Sequence, residues 1–474
     1  MFFGFNSAVR GLLASQRALY TLNHNIDNAN TKGYSRQKIE QRATSPYLIP
    51  GTGFLGTGTE VYNIERIRDS FVDFKYWNET APMGEWEIKK NALTEIEKLM
   101  GKPSNSSFRK YMDDFYSSLD EMSKNPSDDA FRKPVKENAM AFTKHLNDTA
   151  KRLQNMEIET KYNIDMNVRK VNSLSEQIAV LNKQIHSSEL DGRKANDLRD
   201  RREVLVDELS KLVNIKVNES PDGKYTVSLG GISLVDHIYT NKISYDEKED
   251  PGKRFIWENG GKVNLSSGTL KGLADMYEGD GVNNSYRGIP YYMKKLDEFA
   301  TGYAEKFNDQ HKQGYDLNGN PGEDFFVSTD GNPVTAATIT VNEKILEDVN
   351  FIAAAGSVGG DAEDNTNLLE LINQREDKEF FSGGLSQGTP DDFIKAIVSS
   401  LAVDSLQGKR VYGTQELMQK NIEMKRSSIS GVNLEDEMAD MVRYQHTYVA
   451  ASKMISTMDM IIDITVNRLG LVGR

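Results

Sequence analysis

The segment from Asn433 to Leu469 reads NLEDEMADMVRYQHTYVAASKMISTMDMIIDITVNRL. Leu434, Met441, Tyr448, Ile455, Ile462 and Leu469 recur every seven residues, and Tyr444, Ala451 and Met458 fill a second row. No glycine or proline interrupts these five heptads. A helix on one globule drifts out of a strict seven-residue period. This run therefore predicts a helix packed along a helical partner.

The other end of the chain offers such a partner. A helix is expected from about Ser7 to Asn25, with Asn6 and Ser7 as N-cap residues. Phe5, Leu12, Leu19 and Ile26 lie seven apart, while Val9, Gln16 and Asn23 form a second row that turns polar. Asn and small residues follow through Gln37, which reads as a structured helix end.

Between the ends, Asp69–Met100 reads as helix after a Pro/Gly-rich loop over 45–58 and an extended run over 59–64. Ile164, Val171, Ile178 and Ile185, with Leu174 and Leu181, give three heptads inside a helical region from Asp113 to Val213. A break near Leu190-Asp191-Gly192 makes an antiparallel helix hairpin the simplest arrangement. From Asn214 the pattern becomes short β-branched runs between turn signals, Pro221-Asp222-Gly223 and Gly230-Gly231. Helix returns near Gly272, is clearest over Ile289–His311, and resumes near Asp391. The expected fold is mainly α with a small all-β insertion, in an elongated multi-domain chain. Residues 1–75 with 431–474 would form a terminal coiled-coil domain. Residues 76–213 with 272–430 would form a helical bundle, and 214–271 a β-rich inserted outer domain. Because both of its flanks resume helix, the insertion is expected to be separable, so that excising 216–264 leaves assembly intact.

Composition narrows the function. The chain has 474 residues, 38% of them apolar, and a net charge of −12. That balance argues against nucleic acid or an anionic membrane as the main partner. Cysteine is absent, which removes disulfides, thiolate metal sites and a Cys nucleophile. The C-terminal apolar run is interrupted by Asp459 and Asp463 and falls short of the about 20 residues that cross a bilayer. Met1-Phe2-Phe3-Gly4-Phe5-Asn6 lacks the pattern of a cleaved signal peptide, so export would use another route.

Site chemistry is sparse. Gly51-Thr52-Gly53-Phe54-Leu55-Gly56 matches a dinucleotide fingerprint as a string, but Pro50 precedes it and no helix follows. Asp316 to Gly322 has the look of a calcium loop, but Pro321 stands where glycine is needed and Val327 where glutamate is. The six histidines have no metal-ligand spacing. The sequence thus implies no catalytic residue, no cofactor and no metal.

The run Asn25-Ile26-Asp27-Asn28-Ala29-Asn30-Thr31-Lys32-Gly33-Tyr34 closely resembles the N-terminal motif of the flagellar rod, hook and hook-associated protein family. Asp27 and Lys32 depart from that family's usual Ala and Pro. Ser35-Arg36-Gln37 resembles the hook-associated members that stand between hook and filament. Gly431-Val432-Asn433-Leu434, Glu437, Tyr444-Gln445, Tyr448, Ala450-Ala451 and Asp459 resemble the family's closing helix. The resemblance implies a structural protein of the bacterial flagellum, outside the cell, exported by the type III apparatus without a cleaved signal. It implies a ring of identical subunits, with the hook protein and hook-associated protein 3 as neighbours and an export chaperone on the C-terminal helix. Phe5, Val9, Leu12, Leu19 and Ile26 would then meet Leu434, Met441, Tyr448, Ile455, Ile462 and Leu469. Asn25, Asn28, Ala29, Asn30, Thr31, Gly33, Tyr34, Ser35, Arg36 and Gln37 would carry the family motif. An intracellular coiled-coil adaptor is the alternative; it accounts for the helices and acidity, but not for motifs at both ends.

Overall fold

The structure, a computed structural model, describes residues 2–51, 53–101, 108–358, 361–381 and 388–468. Helix α1 (Phe2–Asp27) leads into a β ribbon in which β1 (Gln37–Ala43) pairs antiparallel with β4 (Thr59–Arg66). The ribbon is extended by a short hairpin of β2 (Tyr47–Ile49) and β3 (Gly53–Leu55). The dinucleotide-like string is the turn and second strand of this hairpin, with Gly51 and Gly53 at positive φ.

A helical body follows: α2 (Ser70–Leu99), α3 (Phe108–Ser123), α4 (Asp129–Ser188) and α5 (Asn196–Leu212). Asp69 caps α2 through the amide of Phe71, and Asp128 caps α4 through that of Ala130. With 60 residues α4 is about 90 Å long at 1.5 Å per residue, too long for one globule. It is the spine of two separate apolar clusters. Its first half, Val135 to Met156, packs into an aromatic core with Phe115, Phe299, Tyr303, Phe307, Phe325 and Phe326. Its second half, Ile164 to Ile178, packs with α5 and with strands. Of the predicted heptad residues, Ile164, Val171, Ile178, Ile185 and Leu174 are buried and Leu181 is half-buried.

Strands β5 (Ile215–Glu219), β6 (Tyr225–Leu229), β7 (Ile232–Asp236) and β8 (Tyr239–Thr240) form one antiparallel sheet in sequence order, and β9 (Ile243–Tyr245) pairs with β10 (Phe255–Trp257). The packing bears against the expectation that this insertion is separable. Tyr225, Val227, Leu229, Leu234, Val235 and Ile243 belong to the same apolar cluster as Ile164, Val171 and Ile178 of α4. Asn172 of α4 brackets Ile243, donating to its carbonyl at 2.8 Å and accepting from its amide at 3.0 Å. The strands cover a helix face instead of enclosing a core of their own.

The chain then returns through α6 (Thr269–Glu278), α7 (Ile289–His311), β11 (Phe326–Ser328), β12 (Ile339–Val341), α8 (Glu343–Glu347) and α9 (Thr366–Asn373). Asp316 accepts from the amides of Asn318 and Asn320, so the calcium-like segment is a self-bonded turn. Helix α10 (Pro390–Ser430) opens with a reciprocal Thr389–Asp392 capping box and packs along α2. Helix α11 (Leu434–Asp463), capped by Asn433, runs back along α1. No helix among the described residues is long and apolar enough to cross a membrane.

A candidate assembly site where the two ends meet

Helix α1 begins at Phe2, so Asn6 and Ser7 lie inside it and are not caps. Packing against α11 overrides the local capping preference. A Cβ on Gly4 would meet Met458 at 2.5 Å, and Asn25 bonds Glu437 at the other end. The two helices are therefore antiparallel.

The seven-residue rows of α11 mark its inner face. Met441, Tyr444, Tyr448, Ala451, Ile455, Met458 and Ile462 are half-buried, whereas Met438, Val442, Val449, Met454 and Met460 are exposed. Leu434 is exposed, and Leu469 lies outside the described residues. On α1, Phe5, Val9, Leu12, Leu19 and Ile26 are all half-buried. Its most enclosed positions are instead mainly small: Ala8, Ala14, Ser15, Ala18 and Thr21, with Leu22 and Asn25. Small side chains are fully covered where α11 and the β ribbon come close, and the larger ones flank that contact.

Asn25 is fully buried and every polar valence of its side chain is used. Its amide nitrogen donates to the Gln37 carbonyl and to Glu437, each at 2.9 Å. Its oxygen accepts from the Tyr34 hydroxyl at 2.8 Å and the Gln37 amide at 2.9 Å. One side chain thus ties the end of α1, the loop after it and the start of α11. Burial raises the Tyr34 phenol above its ordinary range, with Asp197, Asp200 and Glu437 adding to it, so Tyr34 stays a donor.

Glu437 is the buried charge of the site. It falls in the second row of α11, seven residues before Tyr444, where an apolar residue would pack. Arg36 donates to it at 2.5 Å, and it sits in the first turn of α11, where the helix dipole favours an anion. A single polar layer in an otherwise apolar seam fixes register and orientation at some cost in stability.

The same loop is bolted to the body through α5. Asp200, Glu203 and Asp207 lie at spacings of three and four on one face of that helix. Ser35 donates to Asp200 with its amide at 3.0 Å and its hydroxyl at 2.8 Å. Gln37 donates to Asp197 at 2.8 Å. Arg66 bridges Asp200 at 2.7 Å and Glu203 at 3.0 Å. Arg68 bridges Glu203 and Asp73, both at 2.7 Å. Arg426, from the end of α10, completes the set with Asp73 at 3.0 Å and Asp207 at 2.8 Å. Trp77 also donates to Asp207, at 2.7 Å.

These carboxylates do not titrate alike. Burial raises Asp200 and Asp207, opposed by Arg66 and Ser35 at the first and by Arg426 and Trp77 at the second. Burial works against Glu203 too, but two guanidiniums, Arg68 and Arg66, outweigh it and hold Glu203 below the usual carboxylate range. Glu203 is therefore the electrostatic centre of the network.

The other motif residues shape the loop. Asn28 donates to the His24 carbonyl at 3.0 Å, and Thr31 donates to Asn28 at 3.1 Å. Gly33 has φ of +79°, and a side chain there would collide with Val204 of α5. Arg36 donates its amide to the Ser430 carbonyl at 2.8 Å. Ala29 is half-buried and Asn30 exposed. Sequence reading located the motif but not its receptor on α5, nor Arg66, Asp73 and Arg426. The available signal was the acidic spacing on α5 and Glu437 in an apolar row. No group of three metal-ligating side chains stands together among the described residues.

The arrangement organises chains; it holds two terminal helices in register and fixes them to a body. The likeness to known proteins agrees. Residues 93–326 match the family described as flagellar hook-associated protein FlgK helical domain, and 425–469 match flagellar basal body rod FlgEFG protein C-terminal. The chain is 29% identical to flagellar hook-associated protein 1 of Bacillus subtilis strain 168, covering 100% of this chain and 99% of that protein. It is 24% identical to the protein of that name from Escherichia coli K12, over 98% and 99% of the two chains. The flagellar hook junction protein FlgK from Burkholderia pseudomallei shares the fold, with a TM-score of 0.62 at 14% identity over 75% of this chain and 100% of that one. With end-to-end relatives and two family matches in chain order, one over the body and one over the closing helix, the chain is similar to flagellar hook-associated protein 1 along its whole length.

Proposed function

We propose that this protein is a structural component of the bacterial flagellum that forms the junction between hook and filament and performs no catalysis. One observation carries the reading: α11 is packed on one face by α1 and presents a second apolar face that nothing among the described residues covers, with Met438 and Val442 each 53% exposed and Met460 63% exposed. A helix apolar on two faces needs more than one helical neighbour. The terminal pair acts as a coiled coil completed by other copies in a ring, with the hook protein on one side and hook-associated protein 3 on the other. Export through the type III apparatus needs no cleaved signal and passes an unfolded chain, for which a cysteine-free sequence is suited. Before assembly, the uncovered face of α11 is the natural seat for an export chaperone.

The test is a deletion strain. It should build hooks yet release filament subunits into the medium, and the restored protein should appear in the hook fraction. Normal filaments without the gene, or a protein confined to the cytosol, would overturn the reading.

A further inference from the structure

We propose that His186 and His237 together hold a divalent transition-metal ion of the zinc class, which fastens the β7–β8 turn to the end of helix α4. This goes beyond the junction reading and does not depend on it. The two histidines are far apart in sequence, and the fold brings their rings to a centroid separation of 5.4 Å with planes at 88°. Two imidazoles that share one tetrahedral ion at the usual Zn–N distance of about 2.0–2.1 Å hold their ring centres roughly 5 Å apart. The pair therefore stands at the separation that a shared ion requires.

The same contacts that seat the sheet on the helix place the two rings. His186 lies in the last turn of α4, where the helix dipole favours a cation. One turn before it, buried Asn182 donates to the His237 carbonyl at 2.7 Å and accepts from Arg202 at 3.1 Å. Arg202 in turn pairs with Glu219 of β5 at 3.1 Å. The His237 amide donates to the Tyr225 carbonyl of β6 at 3.0 Å. Held on both sides, His237 takes a left-handed backbone, with φ of +53°, which is uncommon outside glycine. Its Nδ1 is shielded from water and has no hydrogen-bond partner among the described residues. A shielded ring nitrogen without a partner is costly, and metal ligation satisfies it.

The surroundings suit an ion of this class. The chain has no cysteine, so imidazole is its best ligand for zinc, nickel or copper. Around His237 the anions are Asp222 and Asp236, and the cation is Lys224, itself paired with Asp222 at 3.4 Å. Burial, His186 and Lys224 hold the His237 imidazole below its ordinary value, so the neutral form that ligates is present at neutral pH. Two protein ligands leave the remaining positions to water, which makes an open site. The ion cross-links a helix and a turn that already touch, so it adds stability to a formed fold.

Zinc chloride titrated into the untagged full chain at neutral pH tests the site. Calorimetry should show one ion per chain, and the melting temperature should rise with zinc. His186→Ala and His237→Ala should each weaken binding roughly tenfold or more and abolish the rise. His446→Ala, at an exposed position of α11, should leave both unchanged. Absence of stoichiometric binding, or binding that neither of the first two variants alters, overturns the proposal. If either variant is already less stable without zinc, the unaltered chain decides. Diethyl pyrocarbonate labelling, read by mass spectrometry, should show that zinc shields His186 and His237 and no other histidine. Shielding of other histidines in their place makes the binding adventitious and sinks the site.

Discussion

The helical body and the terminal pair are both built on helices, yet they solve burial differently. In the body, Phe115, Phe142, Phe299, Tyr303 and Phe307 are fully enclosed, and two apolar clusters account for the packing. In the terminal pair the apolar rows of α11 are only half-covered, and the one buried side chain among its described residues is a carboxylate, Glu437. The body encloses two apolar cores within one chain. The terminal pair is held by buried hydrogen bonds and ion pairs, and its apolar surface is left for neighbours. A structural unit that must stay soluble before it polymerises is served by that division.

The largest expected effect breaks the enclosed half. Phe307→Ala removes a fully buried ring from the aromatic core and should cost about 3–5 kcal/mol, read as a lower melting temperature of the whole body. Excising 216–264 should act in the same direction, since it uncovers Ile164, Val171 and Ile178. A deletion that melts like the intact chain would restore the insertion to an independent unit.

Next comes the polar site where the two ends meet. Glu437→Gln leaves Arg36 without its anion, and Asn25→Ala strands buried partners on three segments. Each should cost about 2–4 kcal/mol, felt by α1 and α11 and not by the body. Hydrogen exchange resolved by segment separates the two halves. Equal loss of protection in α4 and α7 would show that they are one cooperative unit.

A pH series sharpens the comparison. Glu203 titrates below its ordinary range, so its stabilising share is present above about pH 4.3, the unperturbed value, and is lost as pH falls through its folded value. Asp200 and Asp207 are shifted upward and run the other way, favouring the folded chain as they take up protons. The stability difference between wild type and Glu203→Gln should therefore shrink on acidification. A pH-independent difference would remove Glu203 from the centre of the network. At the small end, Lys32→Ala breaks an exposed pair at 3.9 Å from Glu208 and should change nothing measurable.

Much of the architecture was legible because periodicity is a local property. The rows over Ile164–Ile185 and Met441–Ile462 mark the inner faces of α4 and α11, and turn signals framed β5 to β7. The ribbon partner β1 was not read, since Gln37–Ala43 is polar and alternates only weakly. The polar site where the two ends meet was half-legible. Asn25 and Gly33 stood out as motif residues, and Gly33 has a physical reason in the left-handed turn against Val204. The receptors of the motif lie far off in sequence: Asp200 is 165 residues from Ser35, and Glu437 is 412 from Asn25. A carboxylate on a helix looks solvated until the fold brings a guanidinium to it.

Because the second apolar face of α11 is exposed in the single chain, with Met438 and Val442 each 53% exposed, the terminal helices should gain order on assembly. Hydrogen exchange on the purified full chain, compared with the same protein in isolated flagella, tests it most directly. In the monomer 434–463 should exchange much faster than α4 and α7, and in flagella it should become strongly protected. Protection of 434–463 in the monomer equal to that of the body would contradict it.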